Sequence, residues 1–277
     1  MKAKLVLAGF VIVLGALSSC SLPFYFQAVG GQLELLRKRV PIDDVLADPQ
    51  SSAELKQQLA DVVEIRMFAT EALQLPDNGS YRTYADLGRP YVVWNVVAAE
   101  EFSTEPRRWC FPFAGCVSYR GFFERAKAEA FAARMSADGL DVYAGGSTAY
   151  STLGYFADPV LNTMLASSSI EFAALLFHEL AHQKVYVKSD SELSEAFAST
   201  VEEYGTRRWL DHRGDVSGIQ SYESRLRERA MFAELVAAQQ ERLAKIYAGD
   251  ESADAKRAAK AQAFEMMRQA FASAKAD

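Results

Sequence analysis

Six residues, Phe177-His178-Glu179-Leu180-Ala181-His182, constrain this chain more than any other stretch. Histidines four apart on an α-helix project from one face, so two neutral imidazoles can reach one Zn²⁺ ion, and the glutamate between them can take a proton from a metal-bound water. The flanking segment Ser168 to Tyr186 is apolar on several sides, through Ile170, Phe172, Leu175, Leu176, Phe177 and Leu180. That pattern predicts a buried helix with a polar interruption. Burying two histidines and a glutamate among leucines and phenylalanines is costly unless a partner compensates them, and a cation is such a partner. The chain has three histidines, and two stand in this motif; the third, His212, falls in a predicted loop and reads as ordinary surface chemistry.

A catalytic tetrahedral site needs a third protein ligand and one open position. Glu192, Glu195, Glu202 and Glu203 all lie on the next predicted helix, Ser191 to Leu210. Glu195 is the preferred ligand, with Glu192 and Glu202 as rivals and Glu203 facing solvent. When Glu195 points inward, Glu202 returns to nearly the same face and can orient a ligand from behind. In this scheme Glu179 is the general base of peptide-bond hydrolysis. Tyr150, Tyr155, Tyr186 and Tyr204 are chemically suited to stabilise the oxyanion, and spacing selects none of them.

The rest of the chain predicts an α+β fold, predominantly helical, with a small sheet packed near the HExxH helix and a C-terminal helical hairpin. Helices are expected over Gln32 to Val40, Ser52 to Leu73 and Phe122 to Ala137, with strands over Tyr91 to Val97 and Leu140 to Tyr143. Tyr222 to Tyr247 and Ser252 to Ala274 form the hairpin, giving three regions: an export segment over 1–19, a peptidase-like α+β region over 20–216 and the hairpin over 217–277. Residues 1–19 combine a basic start, an apolar run too short to span a bilayer and small residues before Cys20. That layout predicts cleavage before Cys20, lipidation of its thiol and a bacterial membrane anchor, with the bulk on the periplasmic side of the envelope, at the outer membrane. Export to an oxidising compartment predicts a disulfide between Cys110 and Cys116. Thirty basic against 36 acidic residues give a formal charge of −6, which repels a phosphate backbone, so nucleic acid is not an expected partner.

Several longer stretches resemble the bacterial putative aminopeptidase family, a lipoprotein-rich group of proposed zinc peptidases. They are Gly31-Gln32-Leu33, Trp94 to Ala99, Trp109 to Pro112 with Gly115-Cys116-Val117, Ala149 to Gly154 with Asp158-Pro159, Phe177 to Gln183, and Glu195 to Ala198 with Val201-Glu202. The resemblance implies that Glu195 is the ligand glutamate and that a peptide or protein is the substrate, with a preference for a free N-terminus. Glu101 could then accept the peptide ammonium and Tyr150 contact the substrate, although Glu100 and Glu105 also make Glu101 part of an exposed acidic cluster. The resemblance further implies an asparagine before the ligand glutamate, where this chain has Ser194. A second reading makes the zinc structural, in a scaffold whose hairpin binds another envelope protein.

Overall fold

The computed structural model describes residues 22–111, 115–187 and 190–274. Helix α1 (Leu22–Arg37), strand β1 (Val40–Pro41) and the short helix α2 (Ile42–Ala47) lead into helix α3 (Ala53–Glu71). Strands β2 (Thr83–Ala85), β3 (Val93–Ala99), β4 (Trp109–Phe111), β5 (Gly115–Val117) and β6 (Arg120–Phe122) follow, then helix α4 (Arg125–Ala137) and strand β7 (Asp141–Ser147). Strand β8 (Val160–Leu161) runs into α5 (Asn162–Leu165), and α6 (Ser169–Lys184), α7 (Ser191–Arg213), α8 (Val216–Ala248) and α9 (Ala253–Ala274) complete a predominantly helical α+β architecture.

The strands form small sheets rather than one. The order β6-β3-β7 is antiparallel throughout, with Asn95 opposite both Gly121 and Gly145. In β1-β2-β8 the first pair is antiparallel and the second parallel, and β4 with β5 makes a separate hairpin. Cys110 faces Cys116 across that hairpin and is disulfide-bonded to it. Strand β3 alternates rather than being buried throughout. Its Val96 packs with Phe122, Ala128 and Phe131 in a small core beneath α4, whereas Val93 and Asn95 face a cleft on the other side. Strand β7 also runs further than the sequence suggests, through Gly145-Gly146 to Ser147. The ring of Tyr91 fills the space where a side chain at Gly146 would stand, so the bare backbone is what lets β3 and β7 stay paired there.

Most of the core lies between α3, α6 and α7. Leu176, Phe177 and Leu180 of α6 are fully buried with Leu59 and Ile65 of α3 and Leu210 of α7. Each such side chain contributes about 1.5–3 kcal/mol of hydrophobic transfer energy, which fixes the rotation of α6 about its axis. The helix ends are set by short-range chemistry. Ser52 caps α3, Ser168 and Glu171 form a reciprocal capping box on α6, and Asp190 caps α7. Gly214, at φ 64°, ends α7 in the left-handed region and Asp215 restarts the chain as the cap of α8.

Arg66 of α3 is a buried cation that donates to the carbonyls of Ser80 (3.2 Å) and Pro76 (2.7 Å), tying down the loop before β2. Two expectations change. His212 lies in the last turn of α7 rather than in a loop, its ring 5.4 Å from that of Phe68. The membrane and lipoprotein assignment is corrected as well: among the described residues no helix is long and apolar enough to cross a membrane. The physical reason is charge, since the longest helices, α8 and α7, carry ionised side chains throughout. Cys20 and segment 1–19 lie outside the described residues.

Candidate metal centre

Helix α6 directs His178 and His182 to one side, and the antiparallel α7 brings Glu195 over them. The two Nε2 atoms are 3.1 Å apart, and the Glu195 carboxylate lies 3.4 Å from Nε2 of His178 and 3.5 Å from Nε2 of His182. Two bonds of about 2.0–2.1 Å meeting at a tetrahedral angle separate their donor atoms by about 3.3–3.4 Å, so these three groups have the spacing of ligands to one ion. Among the described residues, they form the group of donors able to hold a metal, all within 4.8 Å of one another.

The surroundings prepare both imidazoles unequally. Nδ1 of His178 is 3.1 Å from the carboxylate of Glu202, which accepts a second hydrogen bond from Nη1 of Arg229 on α8 at 2.7 Å. A carboxylate at Nδ1 places the proton there and leaves the Nε2 lone pair facing the cluster. That hydrogen bond also raises the proton affinity of His178 above the ordinary imidazole value. Burial pushes the Glu202 carboxyl up, but the hydrogen bonds from His178 and Arg229 prevail and hold it below the usual range. His182 is shifted down, first by burial and then by the charge of His178, and its buried Nδ1 has no hydrogen-bond partner. Lone pairs and a carboxylate converging on one point repel unless a proton or cation lies between them, and the donor set of two imidazoles and one carboxylate suits a divalent ion.

Glu179 faces the same cleft, and burial raises its carboxyl above the usual carboxylate range, while a hydrogen bond from Ser151 acts the other way. Ser151 in turn lies 3.5 Å from the buried carboxylate of Asp158, which accepts from the backbone N–H (2.9 Å) and hydroxyl (2.8 Å) of Thr152. These hydrogen bonds tie Ser151 and Thr152 to Asp158 beside Glu179. The cleft encloses about 710 Å³ between Ser151 and Leu153, α1, the cleft face of β3 and the three converging donors.

The sequence-derived candidates divide by position. His178, Glu179, His182 and Glu195 line the cleft together, and Glu202 supports His178 from behind. Glu192 is exposed in the first turn of α7, and Glu203 pairs with Arg207 at 3.4 Å. Tyr150 lines the cleft with its ring 5.4 Å from Phe123, and Tyr186 stands 6.2 Å from the ring of His182. Tyr155 and Tyr204 are exposed outside it. Glu101 is elsewhere: both its oxygens accept from Arg257 of α9, at 2.5 and 2.9 Å, and that contact lowers its carboxyl. Ser194, where an asparagine was expected, is buried and holds the turn before α7, accepting from Val187 N (2.9 Å) and donating to Asp190 O (2.9 Å).

Three groups that line or support the cleft were not singled out in the sequence: Tyr119, Ser151 and Arg229. Tyr119 lines the cleft, and burial raises its phenol, followed by the charges of Tyr186, Glu195 and Glu179. Nothing local marks it, since it sits in a short link between β5 and β6.

The family described as "Putative aminopeptidase" matches residues 23–277, and the chain belongs to it. Neither a curated protein nor a solved structure matches.

Proposed function

We propose that this member of the "Putative aminopeptidase" family hydrolyses peptide bonds at a zinc ion held by His178, His182 and Glu195. Family membership supports a peptidase-like hydrolase, and the observation that carries the finer reading is the convergence of the three donors at 3.1–3.5 Å beside a cleft-facing Glu179. Two imidazoles and one carboxylate suit zinc, a borderline-soft ion that accepts nitrogen and oxygen at tetrahedral spacing. When bound, the ion supplies Lewis acidity that acidifies water and polarises a carbonyl.

The chain's own residues do the remainder. Glu179, with its proton affinity raised by burial, takes one proton from the attacking water as the new C–O bond forms at the carbonyl carbon. It returns that proton to the amide nitrogen as the C–N bond breaks, leaving a carboxylic acid and an amine. Ser151 holds Glu179 in place, and Glu202 with Arg229 fixes the tautomer of His178. Tyr119, which lines the same cleft and keeps its phenol protonated, supplies a hydroxyl able to donate to the developing oxyanion. The exposed Cys110–Cys116 disulfide supports work in an oxidising compartment such as the periplasm.

Elemental analysis of the full chain, purified under metal-retaining conditions, should give about one zinc per folded molecule. Glu179→Gln should keep that metal and lose turnover by roughly 10²–10⁴-fold, the range for removal of a general base. Equal turnover by the two metal-loaded proteins would overturn the mechanism. A folded chain without metal would overturn the zinc centre.

A further inference from the structure

We propose that the cleft selects an uncharged internal stretch of peptide, with a bulky apolar or aromatic side chain beside the scissile bond, and makes no use of the substrate's α-ammonium. This rests on the hydrolase reading of the same cleft and gives its substrate class.

The first argument is charge. Among the described residues, the ionisable acids and bases lining the cleft, tyrosines aside, are His178, Glu179, His182 and Glu195. All four belong to the metal centre or to the base beside it. A peptide ammonium drawn into a partly dry cleft needs a carboxylate partner to replace its lost hydration. Glu195 is directed at His178 and His182, and Glu179 stands beside them, so both carboxylates are committed to the proposed ion and its water rather than to an ammonium. Glu101, the acid just after β3 that could have served as an anchor, has both oxygens occupied by Arg257, and Lys260 donates to its backbone carbonyl. Nor does any lysine or arginine line the cleft among the described residues to receive a C-terminal carboxylate. Among the described residues, neither end of a peptide finds a counter-charge there.

The second argument is the wall opposite the metal ligands. Phe24, Tyr25 and Ala28 of α1 close the cleft against Val93, Phe123 and Tyr150. These side chains are held from behind: Phe24 packs edge-on against Phe122 at 5.7 Å, and Gln27 locks α1 to β6 by donating to Gly121 O (3.1 Å) and accepting from Phe123 N (2.9 Å). The volume of about 710 Å³ lies in the range of sites that enclose a sizeable ligand. Burying a phenylalanine side chain against such a wall contributes about 2 kcal/mol, while an aspartate or lysine there forfeits that and loses hydration as well.

The test measures binding apart from turnover. Zinc-loaded, full-length Glu179→Gln is titrated with heptapeptides labelled at the C-terminus and followed by fluorescence anisotropy. The set comprises an N-acetylated peptide with a central Phe, the same peptide with a free N-terminus, and N-acetylated versions with Asp or Lys in place of Phe. Acetylated and free Phe peptides should bind within about threefold of each other, and the Asp and Lys peptides at least tenfold more weakly. Ala28→Trp, introduced into the same protein to fill the far end of the cleft, should weaken the Phe peptide at least tenfold with metal content unchanged. Tenfold tighter binding of the free N-terminus, equal binding of Phe, Asp and Lys, no effect of Ala28→Trp, or no binding by any peptide overturns the proposal. If binding follows the predicted order while the wild-type chain cleaves none of the peptides, the hydrolase reading fails and the cleft's selectivity stands. Cleavage confined to free N-termini leaves hydrolysis intact and refutes the selectivity.

Discussion

Replacing Glu202 with glutamine isolates the support behind the proposed metal centre from the centre itself. Glu202 is not one of the three converging donors; it accepts from Nδ1 of His178 at 3.1 Å and from Arg229 at 2.7 Å. Its side chain is only 13% exposed, so its charge acts in a poorly screened setting, whereas Arg229 is 60% exposed and can be rehydrated when its partner is neutralised. A hydrogen bond to a charged group is worth about 1.5–3 kcal/mol and a neutral one about 0.5–1.5 kcal/mol, so Glu202→Gln should remove about 1–1.5 kcal/mol of orientation energy at His178. The stranded arginine adds under about 1 kcal/mol because water screens it. Expressed as metal affinity, loss of an outer-shell carboxylate typically costs about 10–100-fold. The zinc dissociation constant of Glu202→Gln, measured by competition with a chromophoric chelator near neutral pH, should therefore rise by about tenfold, the lower end of that range. Its chelated form should melt no more than a few degrees below wild type. Arg229→Met acts only through Glu202 and should raise the constant less, by about two- to fivefold. A dissociation constant within twofold of wild type for Glu202→Gln, with the protein folded, would refute the claim that this carboxylate prepares His178 for the ion.

Other consequences concern the frame that carries the site. Glu171 closes the capping box on α6 and pairs with Arg225 at 2.5 Å; burial pushes its carboxyl up, but the hydrogen bonds from Ser168 and Arg225 leave it net below the usual value of 4.5. A carboxylate lowered on folding contributes stability above its unfolded value and loses it as pH falls through the folded one. Glu171→Gln should thus cost about 0.5–1 kcal/mol at pH 7, discounted for its partial exposure, and the difference in urea unfolding should shrink progressively below pH 4.5; a constant difference across that range would refute the linkage. Gly205 lies where α7 crosses α6, and a methyl there would meet Leu73 at 2.7 Å and Phe177 at 3.0 Å. Overpacking of about 1–3 kcal/mol should outweigh the helix-propensity gain of about 1 kcal/mol, so Gly205→Ala should lose about 1 kcal/mol in denaturant titration, and a more stable variant would contradict the close crossing.

What the sequence determined by itself is the part governed by local periodicity. His178 and His182 share a face because 3.6 residues complete a helical turn, and the capping signals of α3 and α6, at Ser52 and at Ser168 with Glu171, lie within three residues of the groups they satisfy. Glu195 was also within reach, since α6 and α7 are joined by so short a turn that they must pack antiparallel and present facing residues to one another. The choice among Glu192, Glu195 and Glu202 needed the rotation of α7, which is set by the burial of Ala198, Trp209 and Leu210 in the shared core. Groups brought from afar left no local trace. Arg229 reaches Glu202 from 27 residues away because α8 folds back on α7, and Tyr119 reaches the cleft through the disulfide-closed hairpin and the pairing of β6 with β3. The same long-range packing relocated Glu101. Its position after β3 suggested a substrate anchor, but α9, 156 residues later, lays Arg257 against it, and an ion pair of that separation is decided only when the helices dock.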